Sequence, residues 1–173
     1  MYIAKIIGYL FVIAGCSGLG IWYSRQLQNR MYHIKEMIRI LDITCSEIQY
    51  CQSTLPECCV SISEKTDEPY KTIFLDIWKS VRREKGESFD LACKRCLTSG
   101  MEKLPLKEER EIFIRSFEDV GFSDSWIQRR SMERGRSELS GILERDEDQI
   151  KNQSKLAVSL GTMGGILLVL IML

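Results

Sequence analysis

The stretch "LQNRMYHIKEMIRILDITCSEI" (Leu27–Ile48) carries apolar residues whose spacing alternates between four and three positions. Residues spaced in this way lie on one face of an α-helix. The pattern continues for three heptads, so it predicts a long helix that packs one side against a core and ends near Cys51. The members of the stripe are Leu27, Met31, Ile34, Ile38, Leu41, Cys45 and Ile48.

Two uncharged apolar segments lie at the ends of the chain, Ile6–Tyr23 and Leu156–Leu173. A helix of this length extends about 27 Å, which is close to the thickness of the hydrocarbon core of a bilayer. The sequence therefore predicts a transmembrane helix over residues 1–23, a helical domain over 24–155, and a second transmembrane helix over 156–173.

Basic residues next to the two apolar segments predict the orientation in the membrane. Positively charged flanks stay on the cytoplasmic side of a membrane. We therefore expect a cytoplasmic central domain, with the amino and carboxyl termini on the other side. The flanking residues are Arg25, Arg30, Lys35 and Arg39 after the first segment, and Arg136, Arg145, Lys151 and Lys155 before the second.

The tetrapeptide Ile13-Ala14-Gly15-Cys16 leaves an alternative open. It fits the pattern that precedes a lipidated cysteine in bacterial lipoproteins, and Lys5 and an apolar run stand before it. Lipidation at Cys16 would make the chain a membrane-attached lipoprotein with an external helical interaction domain. The apolar sequence continues past Cys16 to Trp22 and Tyr23, which favours an uncut transmembrane helix.

Helical periodicity also dominates the middle of the chain. Thr54 and Glu57 form a capping box around Pro56, which predicts that a short helix begins there. The fold predicted is all-α, an antiparallel bundle of about six helices, two long and about four short, between two terminal transmembrane helices. The other helices predicted are Tyr70–Val81, Phe89–Ser99, Lys107–Val120 and a last helix from Asp124 that can continue into the second apolar segment.

The composition argues against several functions. Lys and Arg together number 24, as do Asp and Glu, so the net charge is zero and the basic surplus typical of nucleic-acid binding is missing. His33 is the single histidine, and we interpret it as a solvated helix residue rather than a catalytic base. We expect a non-enzymatic protein without a cofactor.

Six cysteines lie in the central region, and two of them form the CxxC motif Cys93-Lys94-Arg95-Cys96. A zinc site would need two further ligands, which Cys58 and Cys59 could supply. The motif also places Cys93 and Cys96 on one face of a helix, and cysteine packs as a small apolar residue in a reducing compartment. We favour packing and predict no metal site.

Small residues recur at a spacing of four within both apolar segments. They are Ala14 and Gly18 in the first, and Gly161 and Gly165 in the second. This spacing lets helix backbones approach closely in a membrane. We expect these four residues to serve in transmembrane helix packing.

Two longer stretches carry a resemblance. They are "EIQYCQSTLPE" (Glu47–Glu57) and "LPLKEEREIFIRSFEDVGFSD" (Leu104–Asp124), which stand between the two apolar segments. In this order they resemble the stage III sporulation protein AB family, over nearly the whole chain. Cys58 and Cys59 depart from the small or apolar residues that are usual in the family after that Pro-Glu.

The resemblance implies a membrane protein on the mother-cell side of the septum in endospore-forming bacteria. It implies a part in the transport complex that joins mother cell and forespore, and a fold like the cytoplasmic domain of type II secretion inner-membrane platform proteins. The partners implied are a cytoplasmic ATPase, stage III sporulation protein AA, and other membrane proteins of the complex. A homo-oligomer is also compatible with the sequence.

The contact site for the ATPase is expected at the end of the bundle where helices turn. We expect Glu47 and Glu57 to make charged contacts there, although the same residues could serve only as caps and turn formers. The full set of expected contact residues is Glu47, Tyr50, Thr54, Leu55, Pro56 and Glu57 at one turn, and Gly121, Ser123 and Asp124 at another.

Overall fold

The computed structural model describes residues 2–51, 54–83, 88–118 and 125–172. Across these ranges the chain is all-α, with two long helices, four short ones and no strand, which confirms the predicted class. The helices are α1 (Tyr2–Ser46), α2 (Leu55–Lys65), α3 (Tyr70–Arg83), α4 (Phe89–Gly100), α5 (Glu108–Ser116) and α6 (Ser125–Met172), and a π-helical turn (Glu47–Cys51) follows α1.

The chain divides into two compact units. Unit 1 comprises Met1–Tyr32 and Glu144–Leu173, and unit 2 comprises His33–Leu143. In unit 1, a guanidinium nitrogen of Arg30 lies 3.1 Å from a carboxylate oxygen of Asp146, so that an ion pair joins α1 to α6.

Within the described part of the chain, no helix combines the length and the apolarity that crossing a membrane requires. The two terminal transmembrane helices therefore stay a prediction. Ala14 and Gly18 are exposed, and a Cβ atom added at Gly18 would meet nothing within 4 Å. The surroundings of Cys16, Gly161 and Gly165 lie outside what the structure describes.

The core of unit 2 is built on a broad face of α1. The heptad stripe lies along this face, and its members Ile38 and Cys45 are partly buried. Residues beside the stripe are buried as well, so the face of α1 that packs in the core is wider than a coiled-coil seam. The buried residues of this face are Ile34, Met37, Ile40, Leu41, Thr44 and Ile48.

Four aromatic rings from α3 and the end of α5 fill the centre of unit 2. Each is almost completely buried, and the centroids of the rings in contact are 5.3–6.4 Å apart in tilted or edge-to-face arrangements. Aromatic pairs in this geometry contribute about 0.5–1.5 kcal/mol beyond the burial of their area. The four residues are Tyr70, Phe74, Phe113 and Phe117.

Helix α5 ends earlier than its sequence predicts. We expected it to reach Val120, but the last helical residue is Ser116. The Phe117 N–H donates to the Ile114 carbonyl at 3.0 Å, and this tighter three-residue turn closes the helix before the expected stop. Val120 and Gly121 lie outside the described residues.

Helix α6 is continuous through two glycines that could have broken it. A Cβ atom added at Gly135 would lie 3.1 Å from Ser116 Cβ and still closer to Ser116 Oγ. The missing side chain therefore lets the end of α5 approach α6. Gly141 is exposed, and a Cβ there would meet nothing within 4 Å, so only Gly135 has a packing role.

Candidate partner-binding site

The first turn of the expected contact site is a π-helical turn. Residues Glu47–Cys51 form it directly after α1, and α2 begins at Leu55. Single π-helical turns are rare and occur frequently at functional sites. The structure thus places an irregular backbone where the sequence predicted a contact surface.

Glu47 is held by partners within its own chain. The Ser61 hydroxyl donates to Glu47 Oε1 at 2.5 Å, and Lys65 Nζ lies 2.9 Å from the same oxygen. Both partners are on α2, so the Glu47 carboxylate ties the π-helical turn to α2. Its side chain is only 15% exposed, which makes it a positioning group more than a surface charge.

Glu57 closes the start of α2 as the capping box predicts. Its Oε2 atom accepts hydrogen bonds from the backbone N–H and the hydroxyl of Thr54, both at 2.9 Å. These two hydrogen bonds hold the pKa of the Glu57 carboxyl below its ordinary value, because they stabilise the charged form. Glu57 is exposed, so it presents a fixed negative charge at the surface.

The remaining residues of this turn differ in exposure. Leu55 is buried and belongs to the core of unit 2, so it does not reach the surface. Pro56 is half-buried, and Thr54 is exposed. Tyr50 is 77% exposed and is the large apolar side chain that this turn presents to solvent.

Helices α1 and α6 run antiparallel in unit 2. Arg136 on α6 forms an ion pair with Asp42 on α1. One turn later on α1 and one turn earlier on α6, the Glu133 carboxylate is near Cys45. Burial raises the pKa of the Cys45 thiol to about 11, and the charge of Glu133 adds to this shift.

The antiparallel register brings a second set of residues to the same end of unit 2. Tyr50 is eight positions after Asp42, and Trp126 is ten positions before Arg136, so both lie at one end. Trp126 is 62% exposed, and Ile127 is exposed as well. We call Tyr50, Trp126 and Ile127 the tip patch.

The second expected turn lies outside the part of the chain that the structure describes. Gly121, Ser123 and Asp124 lie outside the described residues, and α6 is described from Ser125. Trp126 was missed as a site residue in the sequence. The signal that could have identified it is an isolated tryptophan in the first turn of a highly charged helix whose next buried apolar residue is six positions later, Met132.

His33 is not solvated, and that interpretation was wrong. It is 5% exposed, and the Tyr70 hydroxyl lies 3.3 Å from His33 Nδ1 and 3.4 Å from its carbonyl oxygen. Burial lowers the pKa of the imidazole, and the charge of Glu36 partly opposes this effect. The neutral ring therefore serves as a polar member of the core.

The cysteines of α2 and α4 are core residues. Cys58, Cys59 and Cys93 are buried, and Cys96 is half-buried. Burial raises the pKa of the Cys59 and Cys93 thiols, so both stay protonated and unreactive at neutral pH. Among the residues described, no three His, Cys, Asp or Glu side chains come together in a way that could hold a metal ion.

Comparison with known proteins gives matches over nearly the full length of the chain. The family model "Stage III sporulation protein AB" matches residues 5–173. The stage III sporulation protein AB of Bacillus subtilis (strain 168) is 24% identical over 172 residues, which cover 98% of this chain and 99% of that protein. No solved structure matches the chain significantly. The chain belongs to the stage III sporulation protein AB family.

Proposed function

We propose that this chain is a non-enzymatic membrane component of the transport complex between mother cell and forespore, and that it couples a cytoplasmic ATPase to the membrane assembly. Membership of the family supports a role in sporulation. The observation that carries the coupling role is the tip patch, since unit 2 presents exposed aromatic side chains at the end where the π-helical turn lies. Such side chains are enriched in protein–protein interfaces.

The proposed topology places the central domain in the mother-cell cytoplasm and both termini across the membrane. It is supported by the uncharged segments Ile6–Tyr23 and Leu156–Leu173 and by their basic flanks. In this arrangement Ala14, Gly18, Gly161 and Gly165 pack the membrane helices against each other, against a second copy or against other membrane proteins of the complex.

A pair of reporter fusions tests the topology. A reporter that is active only in the cytoplasm, inserted in the α4–α5 connection near Lys103, should be active, and the same reporter after Leu173 should be inactive. The opposite result, or a mass spectrum that shows diacylglycerol on Cys16 as the first residue, would establish the external lipoprotein instead.

The proposed partner is the ATPase stage III sporulation protein AA, and the proposed contact surface is the end of unit 2. Thr54, Pro56 and Glu57 would contact the ATPase directly together with the tip patch. Glu47 and Leu55 would hold that surface in place, since one is bound to α2 and the other is in the core. Gly121, Ser123 and Asp124 are proposed as further contacts from the other turn.

Charge reversal tests this surface. Glu57→Lys should weaken binding of the purified ATPase to the full chain in detergent and lower the yield of spores. Glu111→Lys, an exposed position on α5, is the matched control and should leave both unchanged. Equal binding by the two variants would remove Glu57 from the interface. Failure of the wild-type chain to bind the ATPase would remove the coupling role.

A further inference from the structure

Unit 2 contains two tryptophan–arginine pairs with the same spacing along a helix. The Arg82 guanidinium carbon lies 5.0 Å from the centroid of the Trp78 ring, and that of Arg130 lies 5.3 Å from the Trp126 ring. Both distances are within the range of a cation–π interaction. The two pairs differ in how far the tryptophan is buried. Trp78 packs against the core, whereas Trp126 is 62% exposed.

An open notch surrounds the exposed pair. Its walls are Trp126, Arg129, Arg130 and Glu133, and its volume is about 210 Å³. The Glu133 carboxylate lies 3.1 Å from Arg129 Nε, so one negative charge of the notch is engaged by one of its two positive charges. The notch therefore presents an aromatic surface with a positive charge beside it.

The chemistry of the notch favours binding of an acidic side chain. A guanidinium can stack on an aromatic ring with its face while the N–H groups at its edge bind a carboxylate. Hydrogen bonds between such charged groups are shorter and stronger than neutral ones. Trp and Arg are also among the residues that contribute most to binding energy in protein interfaces, and Tyr50 lies at the same end of unit 2.

We propose that the notch anchors an acidic segment of the partner protein. A Glu or Asp side chain of the partner lays its aliphatic part on the Trp126 ring and its carboxylate against the Arg130 guanidinium. Tyr50 and Ile127 supply apolar contacts around this anchor. The identity of the partner rests on the proposed function, whereas the acidic chemistry rests on the notch itself.

Matched substitutions test the anchor in the full chain. Purified chain in detergent is titrated with the purified ATPase, and the dissociation constant is measured for Arg130→Glu, Arg130→Lys, Trp126→Ala and Arg82→Glu. Arg82→Glu is the control, because it changes the same charge in the same kind of pair at a different site. Thermal unfolding of each variant verifies that it is folded.

We expect Arg130→Glu and Trp126→Ala to weaken binding at least about thirtyfold, which corresponds to one typical interface hot spot. Arg130→Lys keeps the charge but loses the planar group, and should weaken binding about threefold. The dissociation constant of Arg82→Glu should stay within about twofold of the wild-type value. Raising the salt concentration from about 0.05 to about 0.5 M should weaken binding by the wild-type chain, because salt screens the charges.

The two proposals fail in distinguishable ways. If the wild-type chain binds the ATPase and Arg130→Glu binds it as tightly as Arg82→Glu does, the acidic anchor is overturned and the coupling role stands. If Arg130→Glu binds more tightly than the wild type, the guest is basic and the anchor is again overturned. A wild-type chain that does not bind the ATPase removes the coupling role and, with it, the ATPase as the partner that the notch anchors.

Discussion

Trp78 and Trp126 are both tryptophans with an arginine four positions later on the same helix. They nevertheless lie in different surroundings. Trp78 is held between Arg82 and the core, so its ring contributes to stability. Trp126 has Arg130 on one side and solvent around most of the ring. A local pattern therefore predicts the pair, but the helices packed beneath it decide whether the pair stabilises the fold or forms a surface for a partner.

The strongest test of this difference is in the buried aromatic cluster. Phe113→Ala should lower the free energy of unfolding by about 3–5 kcal/mol, because it leaves a cavity in a completely buried site. Tyr50→Ala, at the exposed tip patch, should change it by less than about 0.5 kcal/mol. Chemical denaturation of the full chain in detergent measures both. Similar losses for the two variants would mean that the tip patch is part of the core.

The two tryptophans should give the next largest difference in the free energy of unfolding. Trp78→Ala should cost about 2 kcal/mol, because a half-buried ring loses part of its packing. Trp126→Ala should cost less than about 1 kcal/mol, because the ring is exposed and its loss removes only the cation–π contact with Arg130.

Stability and partner binding should therefore separate between these two variants. Trp78→Ala is expected to lower the unfolding temperature and to leave the affinity for the ATPase unchanged. Trp126→Ala is expected to weaken binding of the ATPase and to leave the unfolding temperature nearly unchanged. Loss of stability in the Trp126 variant with wild-type affinity would contradict the comparison.

The same contrast applies to two glycines of α6. Gly135→Ala should destabilise the fold by about 1–3 kcal/mol, since the new Cβ would crowd Ser116 Cβ and Oγ. Gly141→Ala should stabilise it by about 0.5–1 kcal/mol, because its Cβ meets nothing and alanine favours the helix. Changes of the same sign in the two unfolding midpoints would contradict this reading of Gly135.

Local patterns explain how much of this fold could be predicted from the sequence. The capping box at Thr54 and Glu57 and the cap at Ser88 are formed within a few residues, and both helices begin where these patterns predict. The burial of His33 could not be predicted, since it depends on Tyr70, which is 37 positions away in the chain.

In the candidate site, too, local contacts could be predicted from the sequence and long-range contacts could not. The state of Glu57 could be predicted, because its hydrogen-bond partner, Thr54, is only three positions away in the sequence. Glu47 lost most of its exposure to Ser61 and Lys65, which are 14 and 18 positions later. Trp126 was missed because exposure of an apolar residue depends on which helices do not cover it, and a helical pattern carries no such information.

His33 gives the smallest effect and a test that involves pH. The pKa of the imidazole is lowered in the folded chain, so between that value and about 6.5 the unfolded chain binds more protons than the folded chain. The free energy of unfolding should therefore fall as the pH is lowered from about 7.5 to about 5.5. His33 is the single histidine, so few other groups titrate in this window.

The control is His33→Asn, which keeps a polar atom near the position of Nδ1 and does not titrate. This variant should show a flat stability profile over the same pH window, measured by chemical denaturation at each pH. If its profile falls as steeply as that of the wild type, other groups cause the pH dependence. If the wild-type profile is itself flat, then His33 in solution is as hydrated as the sequence suggested, and the contact with Tyr70 does not bury it.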